Sequence, residues 1–300
     1  MHVRFSASGM ALLGLVLLSS LATRADALTL DLADYGWMDQ YSLDTSHNFV
    51  GNEACVPTSS TNALTYLQNA FPTLYGTSLS GTTYADWQAT DEAFITGMGT
   101  TPGNGTYYDQ FVYVLQNYIT VEKAFAFTQF ASMFPANNWS TQYPDPVFNT
   151  NGHPTASFLS GALASQAAVL VSIEYTNGGG GHELLVNGLD WDEDTNTGML
   201  YFVDPLDPSQ NYNGSVVEGT AKQSSGTLVL GSGGELRLTY NQYEGELPYD
   251  ENNYEDVTAT LYGALAVSIP EPGVYGLLAL GGFVIAARRF SARRQDRSLS

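Results

Sequence analysis

The spacing of apolar residues changes near the middle of this chain. Up to about residue 166 they recur at three- and four-residue intervals, as Phe111, Leu115 and Tyr118 do, which is typical of helices. From residue 167 onward, segments such as "AAVLVSIEY" and "HELLVNGLDW" are short and bounded by glycine-rich or polar turns, which is typical of strands. Helices followed by an antiparallel sheet predict an α+β fold, with a helical N-terminal half packed on an antiparallel β-sheet in the C-terminal half.

Four helices are predicted in the first half, at residues 58–69, 84–98, 109–124 and 155–166. The first has Ala63, Leu64 and Leu67 on one face and is preceded by Pro57, a residue favoured at the start of helices. Cys55, the only cysteine of the chain, lies just before it. One cysteine permits no disulfide within the chain, so folding must depend on the apolar core.

Both ends of the chain carry targeting patterns. Residues 1–27 contain Arg4, the apolar segment "MALLGLVLLSSLA" and small residues at Ala25 and Ala27, which together predict a signal peptide. Residues 269–297 contain Pro-Glu-Pro, a short apolar segment at 273–287 and five arginines. As a helix that segment spans roughly 22 Å, less than the roughly 30 Å of a bilayer core, so it crosses only with its flanks or in a thinned bilayer. Residues 28–268 are left as the folded domain.

The C-terminal segment resembles the PEP-CTERM sorting signal of exported bacterial proteins, because the Pro-Glu-Pro, the apolar helix and the arginine cluster occur in that order. The resemblance implies recognition by an exosortase-type membrane enzyme and cleavage near Pro-Glu-Pro. It also implies a transient membrane anchor, followed by delivery to the cell surface or extracellular matrix. The alternative is a plain C-terminal anchor.

The charge of the domain excludes several partners. Its only cations are Lys123, Lys222 and Arg237, whereas 27 of the 30 acidic residues fall within it. Three dispersed cations cannot form the basic patch that nucleic acid requires, and an anionic membrane surface is excluded for the same reason. The acidity favours solubility.

Three residues have the chemistry of a nucleophilic site. Cys55 precedes a helix start, where free N–H groups and the helix dipole stabilise a thiolate. His182 follows four glycines at the start of a predicted strand, and Asp204 ends the partner strand. If the hairpin turns near Asp194, His182 and Asp204 lie opposite each other or one diagonal step apart on the same face, provided that no bulge intervenes. A thiol, an imidazole as general base and a carboxylate that orients it are what nucleophilic catalysis needs.

The segments "ACVPTSSTNALTYL", "GGGGHELLVNGLDWD" and "LYFVDPLDP" resemble the three motif blocks of papain-like cysteine peptidases, especially the branch related to the bacteriocin leader peptidases. The resemblance implies a papain-like fold and a peptide or protein substrate. It assigns Cys55 as nucleophile, His182 as general base and acid, and Asp204 as the orienting residue. No metal or cofactor is expected for this chemistry.

Two departures from the family pattern leave an alternative open. Val56 stands where the family has glycine, and no glutamine lies shortly before Cys55 to help bind the developing oxyanion. Gln40, fifteen residues upstream, is the candidate for that role. The alternative is a non-catalytic surface or matrix protein that keeps the fold as a binding module.

The acidic turn "DWDEDTNTG" admits two interpretations. Asp190, Asp192, Asp194 and Asn196 alternate as at the start of a calcium loop. The glycine at the sixth position and the glutamate at the twelfth are absent, so a solvated hairpin turn is the favoured interpretation.

Overall fold

The computed structural model describes residues 27–41, 53–135, 148–206, 221–243 and 254–269. The predicted signal peptide, apart from Ala27, and the predicted sorting segment, apart from Ile269, lie outside these residues. Within them, no helix combines the length and the apolar character that crossing a bilayer requires.

Five α-helices are formed by the described residues: α1 Cys55–Ala70, α2 Pro72–Tyr75, α3 Tyr84–Gly97, α4 Tyr108–Asn117 and α5 Ala156–Ala164. A 3₁₀ turn covers Leu32–Asp34, and a π-helical turn, Tyr118–Glu122, follows α4. The nine strands are β1 Leu28–Thr29, β2 Gln129–Phe134, β3 Asn149–Asn151, β4 Ala168–Tyr175, β5 Gly181–Asp192, β6 Thr197–Val203, β7 Ser224–Leu230, β8 Leu236–Tyr243 and β9 Tyr254–Ser268. The four predicted helices and the strands predicted from periodicity are confirmed as elements.

The strands form a barrel and not the open sheet that the sequence suggested. Strands β4 to β9 pair antiparallel in chain order, and β4 pairs with both β5 and β9, which closes the ring at six strands. Three short extra strands join it: β1 pairs with β5, β2 pairs with β9, and β3 pairs with β2. The predicted arrangement, a papain-like helical half packed on a sheet, is therefore wrong, because the fold is dominated by the barrel.

The length of β9 explains the closure. Residues 254–260 of this strand pair with β8, and residues 259–267 pair with β4. One strand thus bonds to both edges of what would otherwise be an open sheet, and closure removes the unpaired edges that such a sheet exposes. The sequence pattern identified β9 as a strand but carried no signal of which strands it pairs with.

Two apolar clusters lie on opposite sides of the barrel wall. The first draws residues from all six barrel strands, including Val171, Leu184 and Phe202, and so fills the interior, with Leu159 and Leu163 of α5 packed against it. The second joins the other face of β4, β5, β6 and β9 to the helices α1, α3 and α4. Helix α1 is almost wholly buried there, from Cys55 to Gln68. Each fully buried leucine, such as Leu64 or Leu67, contributes about 1.5–3 kcal/mol.

Candidate active site

Helix α1 holds Cys55 at its first position, one turn earlier than the predicted helix start. The backbone carbonyl of Ala54 accepts the first helical hydrogen bond, from the Thr58 N–H at 3.0 Å. Ser59, one turn along, donates its hydroxyl to the Glu183 carbonyl at 3.1 Å. This bond fixes the first turn of α1 against the start of β5. Cys55 as a whole residue is 9% exposed, and it lines a cleft at the protein surface.

His182 and Asp204 meet at the rim of the barrel. The imidazole Nε2 lies 2.7 Å from Asp204 Oδ1, and both side chains are buried. The same carboxylate oxygen accepts the backbone N–H of Leu206 at 2.8 Å, which fixes its orientation. Cys55 lies close enough to His182 for its side chain to help raise the pKa of the imidazole. Because Nε2 faces Asp204, Nδ1 is the ring nitrogen left for the thiol. The structure therefore brings together the three residues that the motifs pointed to.

A β-bulge sets the register that brings His182 and Asp204 together. Near the turn, Asp192 faces Thr197 and Gly188 faces Tyr201. Beyond the bulge, Val186 faces Phe202, so Asn187 is an extra residue on β5. Without it, every residue nearer the start of β5 would face the opposite side of the sheet. The bulge thus places His182 one diagonal step from Asp204 on the same face. The sequence analysis expected the same arrangement, but from a hairpin without a bulge.

The pKa of His182 is raised well above its ordinary value. Burial alone would lower it, but the neighbouring side chains of Tyr175, Asp204 and Cys55, and above all the hydrogen bond to the Asp204 carboxylate, outweigh burial. Burial also raises the pKa of Tyr175, which is therefore a neutral phenol near neutral pH. Asp204 is consequently the anion that favours the charged imidazolium under those conditions. A protonated imidazole beside a thiol stabilises the thiolate.

Cys55 and His182 line a cleft with a volume of about 420 Å³, a size typical of ligand sites. Its walls are the start of α1 with Glu53, the loop 103–108, and the segment 179–183. Glu53 Oε1 accepts the Gly103 N–H at 3.0 Å, which links the first wall to the second. Glycines occupy both loops, so a substrate backbone can approach the walls closely.

Two residues of this cleft were missed in the sequence. Glu183 is 1% exposed, and its Oε2 accepts the Ser172 hydroxyl at 2.5 Å. Burial raises the pKa of Glu183 to about 8, although the Ser172 hydrogen bond and the charge of His182 act to lower it. Tyr108 opens α4, and its ring stacks on Tyr262 at 4.8 Å. An acid flanked by apolar residues within "HELLV" was the available signal for Glu183, whereas Tyr108 had none.

The structure places the backbone of Gln40 beside Asp204. Its backbone N–H donates to the Pro205 carbonyl at 2.8 Å, beside Asp204. Its side-chain Oε1 is buried and has no partner among the described residues. Gln40 is not one of the described residues that line the cleft, whereas Val56 lines it next to Cys55. The role of Gln40 in binding an oxyanion stays a prediction.

The acidic turn closes the β5–β6 hairpin, as predicted. The Asp192 carboxylate accepts the backbone N–H groups of Asp194 and Thr195, at 2.8 and 3.3 Å. Asn196 adopts the left-handed conformation, with φ of 52°, which asparagine tolerates better than most residues. In the part of the chain that the structure describes, no grouping of histidine, cysteine and acidic side chains is suited to hold a metal ion.

The comparisons with known proteins do not bear on the predicted relation to cysteine peptidases. No protein-family model matches the chain, and a search of curated proteins finds no match. The resemblance of the three motif blocks, and that of the C-terminal segment to a sorting signal, therefore stay predictions.

Proposed function

We propose that the protein is a thiol-dependent hydrolase of peptide or amide bonds, with Cys55 as nucleophile, His182 as general base and acid, and Asp204 as the residue that orients the imidazole. The observation that carries the proposal is the pairing of His182 with Asp204 at 2.7 Å, together with the proximity of Cys55 to the same imidazole. The three residues come from α1, β5 and the position after β6, and Cys55 and His182 line a ligand-sized cleft.

The proposed reaction follows from the roles of these groups. Cys55 Sγ, whose proton already resides on His182 in the thiolate–imidazolium pair, attacks the carbonyl carbon and forms a C–S bond, and the carbonyl oxygen becomes an oxyanion. The imidazolium then protonates the amide nitrogen, the C–N bond breaks, and the amine leaves a thioester on Cys55. Water, deprotonated by His182, hydrolyses the thioester and restores the thiol. The first N–H groups of α1 have no partner within the helix, so they can donate to the oxyanion that forms in each step.

The second candidate function is a binding module without catalysis. Val56 is the observation that favours it, because a buried side chain replaces the family's glycine next to the thiol and lines the cleft. A residue at this position reduces the space that an oxyanion and its donors share.

Intact-mass analysis separates the two functions. The wild-type protein, mixed with a peptide thioester or activated ester and quenched in acid, should carry the acyl group on Cys55. The Cys55→Ser variant should retain no thioester, and His182→Ala should acylate far more slowly. If wild-type protein and His182→Ala acylate at equal rates, or if no peptide of a broad library is cleaved, the catalytic proposal fails and the binding module is favoured.

We also propose that the protein is exported and sorted through its C-terminal segment to the cell surface or extracellular matrix. The support is the order of the Pro-Glu-Pro, the apolar segment and the arginines in residues 269–297. Deletion of residues 270–297 should prevent transient membrane retention and processing, as followed by fractionation and by mass analysis of the mature C-terminus. A mature product that keeps the arginine cluster would contradict sorting by cleavage.

A further inference from the structure

Two buried carboxyl oxygens in the cleft have no protein partner. Glu183 Oε1 and Glu53 Oε2 are both inaccessible to water, and neither has a hydrogen-bond partner among the described residues. Both residues line the cleft that contains Cys55. Buried polar atoms are rarely left without a partner, because desolvation is then uncompensated. The two carboxyl groups therefore indicate a ligand that supplies donors.

The surroundings of Glu183 contain further negative charge. Glu174 faces Gly181 across the β4–β5 ladder, one diagonal step from Glu183 on the same face. Burial raises the pKa of the Tyr108 hydroxyl most, and the neighbouring Glu174 and Glu183 raise it further. Tyr108, Glu183 and Glu53 all line the cleft, with Glu174 next to Glu183 on the β4–β5 ladder.

Among the described residues, no lysine or arginine lines this acidic part of the cleft, and His182 is the cationic group beside Glu183. Lys123 lies over the Tyr118 ring at 5.0 Å, and Lys222 lies over the Tyr254 ring at 5.8 Å. Arg237 binds the Glu235 carboxylate at 2.7 Å. These are the three cations between residues 28 and 268, all of them described, and none lines the cleft.

We propose that the cleft beside Cys55 binds a cationic side chain, arginine or lysine, of the peptide substrate, with Glu183 and Glu53 as its receptors. A guanidinium or ammonium group is all donors and no acceptors, so it matches carboxyl oxygens that lack partners. Its charge adds to the effects of the Ser172 hydroxyl dipole and the His182 imidazolium in offsetting the desolvation of Glu183. The proposal rests on the proposed function for its assumption that the ligand is a peptide.

The test measures binding to the full-length Cys55→Ser variant, which cannot turn over, by fluorescence anisotropy. The probes are hexapeptide pairs that carry arginine or the neutral isostere citrulline at one position, scanned along the peptide. We expect arginine to bind at least tenfold more tightly than citrulline at one position and nearly equally elsewhere. General attraction to an acidic protein would instead give the same preference at every position.

Variants of Glu183 and Glu53 test whether these two residues produce the preference for arginine. Glu183→Gln in the same background should reduce the tenfold ratio to threefold or less, and Glu53→Gln should reduce it in part. Glu193→Gln, on the exposed hairpin turn, is the matched control and should leave the ratio unchanged. In Glu183→Gln the amide oxygen can still accept the Ser172 hydroxyl, and a thermal melt verifies that the variant folds. If it does not fold, the arginine-to-citrulline ratio of Glu53→Gln tests the proposal instead.

Equal binding of arginine and citrulline at every position, or an arginine preference that both glutamine variants retain, would overturn the inference. Because binding needs no catalysis, the two proposals fail separately. Selective arginine binding by a protein that cleaves no peptide would refute the hydrolase and keep the cationic site. Efficient cleavage without any preference for basic residues would support the hydrolase and refute the cationic site.

Discussion

His182 and Glu183 are adjacent at the start of β5 and both buried, but they are in opposite electrostatic situations. Asp204 pairs with one ring nitrogen of His182, and Cys55 lies close by, so the charged form of His182 is stabilised. Among the described residues, Glu183 has the Ser172 hydroxyl as hydrogen-bond partner and one oxygen without a partner, so burial favours its neutral form although the charge of His182 opposes this. Burial alone does not decide the state of a titratable group, because its partners contribute as well. His182 has an anionic hydrogen-bond partner, whereas Glu183 has no hydrogen-bonded cation among the described residues.

The largest expected effect comes from removing the imidazole. His182→Ala should lower the rate of peptide hydrolysis by about 10³-fold or more, because the base that activates Cys55 and the acid that protonates the leaving amine are lost together. Steady-state hydrolysis of the best peptide from a library measures it. Glu193→Gln should keep the wild-type rate. A His182→Ala rate within tenfold of the wild-type rate would contradict the role of His182 as general base and acid.

Asp204→Asn tests whether the negative charge of the carboxylate stabilises the imidazolium of His182. The amide cannot supply the negative charge that favours imidazolium, and it can orient the wrong tautomer, so hydrolysis should fall by about 10²–10³-fold with little change in folding. Rates of hydrolysis and a thermal melt of the same sample check both parts. A full wild-type rate would show that Asp204 is structural.

Glu183→Gln tests the other neighbour through the pH dependence of stability. The pKa of Glu183 rises from an ordinary value of 4.5 to about 8 on folding. Between those pH values the folded protein holds a proton that the unfolded chain has released, so this group's contribution falls as pH rises. The loss approaches roughly 1.4 kcal/mol per pH unit within that window.

Glutamine does not titrate, so the difference in melting temperature, variant minus wild type, should be larger at pH 8 than at pH 5. Glu193→Gln controls for the general effect of removing one negative charge. An equal difference at both pH values would mean that Glu183 titrates normally.

The smallest effect is expected for Tyr175→Phe. Tyr175 accepts the Gln242 side-chain N–H at 2.6 Å and lies near His182. A neutral phenol contributes little charge, so hydrolysis should fall by less than about fivefold, while the unpaired amide costs about 1–2 kcal/mol of stability. Hydrolysis and denaturant unfolding measure the two effects. A fall in the rate of hydrolysis as large as that of Asp204→Asn would indicate that Tyr175 is the anion that stabilises the imidazolium.

The sequence predicted the individual helices and strands better than it predicted how they assemble. Cys55 at a helix start, His182 after glycines and Asp204 at a strand end are local features, and each element formed about where its pattern indicated. The pairing of β4 with β9 joins residues far apart in the chain, and nothing in either strand specifies its partner. Hence the elements were predictable, whereas closure of the barrel was not.

The bulge at Asn187 illustrates the same limit within the site. A regular β5–β6 ladder drawn from the turn would have placed His182 on the wrong face, and only the extra residue restores the contact with Asp204. Asn187 is a polar residue in an apolar run, and its buried amide atoms have no partner among the described residues. That interruption was visible in the sequence, but its effect on register depends on the pairing of both strands.

The most direct test of the account is the rate at which iodoacetamide alkylates Cys55, measured from pH 5 to 9 in wild type, His182→Ala and Asp204→Asn. Since Cys55 is the only cysteine, the reaction reports on it alone. The account predicts rapid alkylation of folded wild-type protein at pH 6, at least tenfold slower reaction in His182→Ala, and an intermediate rate in Asp204→Asn. Alkylation that occurs only on unfolding, or at one rate in all three proteins, would contradict it.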